Sequence, residues 1–368
     1  MRLNSLGFPQ LYIQGPGAID RLGEFCLRIG NRAFVLGDGF VLNLIGARMR
    51  SSSGEAGLAV SVDEFRGECC RPEIERLVAK ARDAASDVII AAGGGKAIDT
   101  GKVVADRLKL PFVSVPTIAS TDGPVSSLAV EYTEDHRHVG VLRHDRAPTL
   151  VLVDSQIIAD APPRLLAAGM GDALATWYEA QMCRASGVEN FRWGHISPTA
   201  MVLAQHCRDT ILHHGVAALD ALRRGVIDDD LERVIEANLF LSGTGFENTG
   251  VAAAHALDGA LSRLTDVSGS HHGERVALGV LFLLLLVKDR EQFDQVEDFL
   301  GRVGLPTRFA ALGLGPFCED ELVALSQFVL RDGSPIRNMP DRISQAEIIT
   351  ALRYLDTGHP DDSRIAEG

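Results

Sequence analysis

Basic residues are in short supply: 36 Lys and Arg stand against 49 Asp and Glu in 368 residues, a formal net charge of -13. An acidic chain of this kind has no positive field to hold a phosphate polymer, so nucleic acid is excluded as an expected partner and small ligands are favoured. No apolar run reaches the roughly 20 residues that a membrane helix needs. The longest, Val276 to Val287, predicts a buried core helix and no membrane partner. The first residues, Met1 to Pro9, lack the apolar stretch of a secretory leader, and a cytoplasmic protein is expected. The six cysteines form no CxxC pair and no dense framework, which predicts reduced thiols that hold neither disulfides nor metal.

What is present is enough apolar sequence for a large core, 46% hydrophobic against 23% charged, over a length that suits two domains. In the first part, β-rich runs at Arg32–Leu36, Asp87–Ala92, Phe112–Val115 and Leu150–Val153 alternate with helical stretches at Ile74–Ala85 and Ala97–Leu108. That alternation predicts an α/β domain with a parallel sheet covered by helices, over residues 1–162. Pro162 and Pro163 then break the chain. Helical spacing dominates afterwards, through Leu165–Cys183, Pro198–Leu212, Leu231–Leu241, Val251–Leu264 and Gly273–Val287, predicting an all-α domain over residues 163–368. The tail after Tyr354 reads as loosely ordered.

Asp87–Thr100 runs from a strand through Gly93, Gly94 and Gly95 into a helix. Bare N–H groups at a helix N-terminus form an anion site, and glycine lets a pyrophosphate approach closely. The spacing matches neither GxGxxG, since Ile98 follows Gly95 by three, nor the P-loop GxxxxGK[ST], so the motif predicts phosphate without naming the nucleotide. Asp38 follows the strand Ala33–Leu36 through Gly37, where a carboxylate suits a ribose and disfavours a 2′-phosphate; Asp-Gly is equally a turn.

Three further residues stand out in the second part. Asp172 falls in the first turn of a predicted helix, where an acid ordinarily caps; His255 lies in an apolar stretch, where a histidine is ordinarily a core residue; His272 opens the most apolar helix, beside His271, which competes for the same role. Two imidazoles and one carboxylate are a ligand set for a catalytic zinc with one position left open. No short-range signature such as HExxH accompanies them.

Taken together, the motifs Gly93–Thr100, Val115–Pro124, Leu150–Asp154, Ala168–Thr176, Ser242–Glu247, Ala252–His255 and His272–Val276 resemble the glycerol dehydrogenases. These belong to the wider iron-containing alcohol dehydrogenase and dehydroquinate synthase-like superfamily. The resemblance implies a Rossmann-like N-terminal domain, an all-helical metal-binding domain, and a homo-oligomer. It implies transfer of hydride between NAD and a small polyol such as glycerol, yielding dihydroxyacetone. The implied metal is zinc, with iron as the alternative, held by Asp172, His255 and His272, the last chosen over His271 because it immediately precedes Gly-Glu. For NAD the implied set is Asp38, Gly94, Gly95, Lys96, Asp99, Thr117, Ser120, Ser126, Leu128 and Tyr132. Asp122 matches a substrate-contacting aspartate and joins His255 as an expected catalytic residue.

Two stretches depart from that pattern. Where a continuation resembling Ala-Ile-His-Asn-Gly-Leu is expected, the chain reads Ala256–Leu261 with Asp258, and the expected Glu-Ser-Gly-Gly is Glu247–Gly250. These changes bear on substrate more than on reaction. His136–Arg146 is basic and predicts a solvated hairpin, or else an arginine such as Arg143 that meets a substrate carboxylate or phosphate. The alternative functions are therefore a dehydrogenase of 2-hydroxy acids or glycerol phosphate, and, further off, a dehydroquinate synthase-like cyclase or a silent NAD-binding scaffold.

Overall fold

The computed structural model describes residues 3–264 and 269–358. The chain divides into two compact units: Gly7–Pro163 with Ala221–Thr244, and Met1–Leu6 with Arg164–Asp220 and Gly245–Gly368. The first is an α/β unit and the second is helical.

Strands β1 (Tyr12–Gly15), β2 (Arg32–Gly37), β3 (Ala59–Glu64), β4 (Val88–Gly93), β5 (Phe112–Pro116) and β8 (Leu150–Asp154) build a six-stranded sheet in the order β1-β8-β5-β4-β2-β3. Every pairing in it is parallel. Helices α1 (Leu22–Leu27), α2 (Gly39–Ala56), α3 (Arg71–Asp83) and α4 (Gly95–Leu108) connect these strands. Successive residues serve opposite faces: Ala33 and Val35 pack with α1 and α2, while Phe34 and Leu36 pack with α3 and α4. Burial on both faces explains why the central strands read as unbroken apolar runs. β6 (Leu128–Tyr132) and β7 (His138–Arg143) form a separate antiparallel hairpin, so the basic stretch is a hairpin with Arg143 exposed at its end.

β2 is followed by β3 at one edge and β4 lies on its other side. This reversal makes a topological switch point at the carboxyl ends of β2 and β4, a favoured position for a ligand in an open α/β sheet. Asp38 and Gly93–Gly95 sit at those two ends.

After α5 (Ser155–Ala159) the remaining elements are helices: α6 (Pro163–Ser186), α7 (Pro198–Arg223), α8 (Asp229–Glu236), α9 (Ser242–Thr249), α10 (Ala253–Leu261), α11 (His272–Leu286), α12 (Arg290–Val303), α13 (Glu319–Val329) and α14 (Gln345–Thr357). α11 is the buried core helix that its apolar run predicts, and among the described residues no helix is long and apolar enough to cross a membrane. The stretch Leu231–Leu241 is not one regular helix: α8 passes into a π-helical turn at Ala237–Leu241. Order also persists past Tyr354, to the end of α14; residues 359–368 of the expected loose tail lie outside the described residues. The six cysteines are free thiols.

Candidate metal centre and nucleotide cradle

Three helices of the second unit meet where glycine replaces bulk. A Cβ on Gly273 would sit 1.8 Å from the carbonyl oxygen of Ala168, one on Gly171 would sit 2.3 Å from that of Gly273, and one on Gly279 would sit 2.4 Å from that of Ala254. Only bare backbone fits at these distances, so α11 packs closely on both α6 and α10. Asp172 and His272 adjoin two of these glycines in sequence.

The result is a cluster in which Asp172, His255 and His272 each offer a ligand atom, all within 4.8 Å of one another. His272 Nε2 lies 3.3 Å and His255 Nε2 3.8 Å from Asp172 Oδ1, with the Asp172 side chain buried. The donor chemistry fits a divalent cation of the zinc or iron type: two imidazole nitrogens, one carboxylate, and a coordination number left incomplete. His271 is outside this group; it is the N-cap of α11, and its backbone N–H donates to Glu274 Oε2 at 2.8 Å.

Each ring is also gripped on its other edge. Glu179, two turns beyond Asp172 on α6, lies with Oε2 2.6 Å from His255 Nδ1, while its Oε1 accepts from the backbone N–H groups of Ala252 and His255 at 2.7 and 3.0 Å. It thereby serves orphan donors at the start of α10, where no side-chain cap exists. Asp258 Oδ2 lies 3.1 Å from His272 Nδ1, and Asp258 Oδ1 accepts from Arg275 Nε at 2.7 Å. Carboxylates behind metal-binding imidazoles fix tautomer and ring orientation. Burial pulls the His255 imidazole down, but the charge and hydrogen bond of Glu179 outweigh it and hold the ring up at about 9. Burial likewise opposes the charge on His272, and the carboxylates of Asp258 and Asp172 lift it well above the ordinary value. Asp258 itself is held well below the carboxylate range, because the positive groups of His272 and Arg275 overcome its burial.

In the α/β unit, Gly94 is the N-cap of α4 and Gly95 its first residue, so the cradle is the N-terminus of a helix laid on the end of a strand. Gly93 takes φ of 144°, a conformation that requires glycine. Thr117 N donates to Gly93 O at 3.2 Å, placing the end of β5 beside the cradle. Lys96 Nζ pairs with Glu68 at 2.7 Å and lies 5.7 Å from the centre of the Tyr132 ring. Asp38 caps α2, its Oδ1 accepting from Val41 N at 2.8 Å.

Asp99 takes a hydrogen bond from Val130 N at 3.0 Å and one from Lys102 Nζ at 3.1 Å. Lys102, a buried lysine, also donates to the carbonyls of Gly123 and Leu128, tying α4 to the segment that carries Ser120, Ser126 and Leu128. Ser126 Oγ donates to Gly123 O at 3.3 Å. Asp122 is held from the far side of the sequence, its Oδ2 accepting from Ser242 Oγ at 2.7 Å, while Asn238 Nδ2 donates to Ala119 O at 3.0 Å. Asn238 and Ser242 lie in and just after the π-helical turn, a local widening that often marks functional positions.

The residue pattern of iron-containing alcohol dehydrogenases matches residues 9–155. A glycerol dehydrogenase from Thermotoga maritima is 42% identical over 351 residues, covering 95% of this chain and 96% of that protein. The chain belongs to the iron-containing alcohol dehydrogenase family. Within the family it is closely related to the glycerol dehydrogenases. The crystal structure of a probable glycerol dehydrogenase from Sinorhizobium meliloti superposes with a TM-score of 0.91 at 38% identity, covering 96% of this chain and 98% of that one. That of glycerol dehydrogenase from Schizosaccharomyces pombe gives 0.93 at 32% identity, covering 97% and 91%. A parallel α/β domain followed by an all-α domain is thus the fold of this family member.

Glu68, Lys102, Glu179 and Arg275 have no part in the sequence-based expectations for the site, and Asp258 entered them only as a departure bearing on substrate, not as a partner of His272. A signal for one of them was present: Asp172 and Glu179 are seven apart in an otherwise apolar stretch, which puts both on one helix face.

Proposed function

We propose that this family member is an NAD-linked, metal-dependent dehydrogenase of small polyols, with glycerol as the first candidate substrate and dihydroxyacetone as its product. The observation that carries the reading is the convergence of Asp172, His255 and His272 in a close relative of glycerol dehydrogenases. When bound, the divalent metal supplies Lewis acidity that eases loss of a hydroxyl proton. When bound, NAD supplies the hydride acceptor.

The chain's own residues supply position and charge. Asp172, His255 and His272 hold the cation, zinc or iron, and leave room for a substrate oxygen. The amides at Gly94 and Gly95 receive the pyrophosphate at the start of α4. Asp38, Lys96, Asp99, Thr117, Ser120, Ser126, Leu128 and Tyr132 complete the proposed NAD set. Asp122, kept in orientation by Ser242, is the proposed substrate-contacting carboxylate.

The test is a panel of glycerol, other vicinal diols, 2-hydroxy acids and glycerol phosphate, assayed for NADH with and without a chelator. Chelator-sensitive NADH formation, strongest with an uncharged vicinal diol, is expected. Activity indifferent to metal removal contradicts the reading, and a clear preference for a hydroxy acid or a phosphate ester contradicts its substrate class.

A further inference from the structure

We infer that Asp258 and Arg275 form a positioning pair that locks the His272 ring for metal binding, an inference that rests on the reading of Asp172, His255 and His272 as a metal site. An imidazole that binds metal through Nε2 must keep its proton on Nδ1 and keep its plane fixed. Asp258 Oδ2 faces Nδ1 at 3.1 Å, while Nε2, on the other edge of the same ring, faces Asp172 at 3.3 Å. Asp258 is therefore not a fourth ligand; it works through His272.

The geometry is specific to the pair. Asp258 uses one oxygen for the ring and the other for Arg275 Nε at 2.7 Å, so the carboxylate cannot swing without losing a partner. Arg275 is itself held, Nη1 donating to Ser270 O at 3.1 Å and to Ser270 Oγ at 3.0 Å. His272 and Arg275 are three apart in the first turn of α11 and so share a face. His255 and Asp258 are likewise three apart, on α10.

The three helices thus hold one another's ligands in series. α6 carries Asp172 and the Glu179 that grips His255; α10 carries His255 and the Asp258 that grips His272. The two grips differ in kind. Glu179 also serves the backbone of α10, so its loss would injure the fold, whereas among the described residues the Asp258 carboxylate holds the ring and Arg275.

The experiment measures Co2+ affinity of the purified full chain by competition with a chromophoric chelator, with the Co2+ ligand-field spectrum recorded, for wild type, Asp258→Ala, Asp258→Asn and Arg275→Ala. Loss of a carboxylate behind a ligating histidine costs about 10–100-fold in metal affinity, which is the weakening expected for Asp258→Ala. Asp258→Asn, which keeps one acceptor and the side-chain size, is expected to fall between it and wild type, and it carries the test if the alanine variant does not fold. Arg275→Ala is expected to weaken binding less than Asp258→Ala and to shift the spectrum in the same direction. Variants that bind Co2+ within twofold of wild type, with only their metal-free melting temperature lowered, would make the pair a plain structural staple and overturn the inference. A wild-type chain that takes up no Co2+ overturns the metal-site reading itself, a result distinct from the first.

Discussion

Gly273 lies so close to Ala168 that a Cβ at position 273 would sit 1.8 Å from the Ala168 carbonyl oxygen. The contact is backbone against backbone, so no side-chain rearrangement relieves it. Because Asp172 is one turn beyond Ala168 on α6 and His272 precedes Gly273 on α11, the same contact sets the distance between two proposed ligands. Gly273→Ala is expected to destabilise the protein by about 1–3 kcal/mol or more, the usual cost of overpacking, and to lower its metal content. Gly301→Ala on α12 is the control: its added Cβ meets nothing within 4 Å. It should stabilise by roughly 0.5–1 kcal/mol, as Ala for Gly within a helix does. Thermal unfolding and metal analysis of both variants check the pair.

Metal uptake should release protons. In the metal-free protein the carboxylates around them hold His255 up at about 9 and lift His272 well above its ordinary value, so the cationic form of each ring is favoured. A ring binds metal only as the neutral imidazole, so protons leave as the ion binds. The sign for stability follows from the raised folded values. The contribution of the protonated His255 ring to the metal-free fold is fully present below the unfolded value of 6.5 and is lost as pH rises through about 9. Calorimetric titration with Zn2+ in two buffers of different ionisation enthalpy measures the release; heats independent of the buffer would refute it.

The thiols divide five to one by exposure, with Cys318 alone exposed. Burial pushes Cys26 and Cys69 up to about 12 and raises Cys183 further, so thiolate is scarce in the folded protein near neutral pH. One rapid equivalent of a thiol reagent is expected in the native state, rising to six after unfolding. Rapid reaction of a second thiol would contradict this packing.

Ser242→Ala removes the hydroxyl that donates to Asp122 Oδ2. A hydrogen bond to a charged group is worth about 1.5–3 kcal/mol, so the KM for polyol should rise by about tenfold or more while the KM for NAD stays near that of wild type. Equal rises in both would point to a general disturbance of the 119–126 segment.

Much of the fold was legible in the sequence because burial imprints it. β4 is apolar throughout and β5 is so but for Ser114 because both sheet faces are covered, and α11 is apolar because it is enclosed. β3 was not legible: as an edge strand it exposes Ser61 and Glu64, which erases the apolar signature. The π-helical turn at Ala237–Leu241 was hidden too, since one extra residue per turn barely alters a short apolar pattern. At the site, the glycines and histidines could be picked out by type. Glu179 was signalled only by its spacing of seven from Asp172 and Asp258 only as a departure within Ala256–Leu261; their hold on the histidines was not legible, because a carboxylate in a helix reads as a solvated position unless the partner is known, and His255 lies 76 residues from Glu179.

The most direct measurement pairs metal content with turnover in Asp172→Ala. Near-complete loss of both bound metal and polyol-dependent NADH formation is expected, with far-ultraviolet circular dichroism and NAD binding retained, since Asp172 belongs to the helical unit and the cradle to the α/β unit. Wild-type turnover with stoichiometric metal still bound would contradict the assignment of Asp172, His255 and His272 as the catalytic metal site.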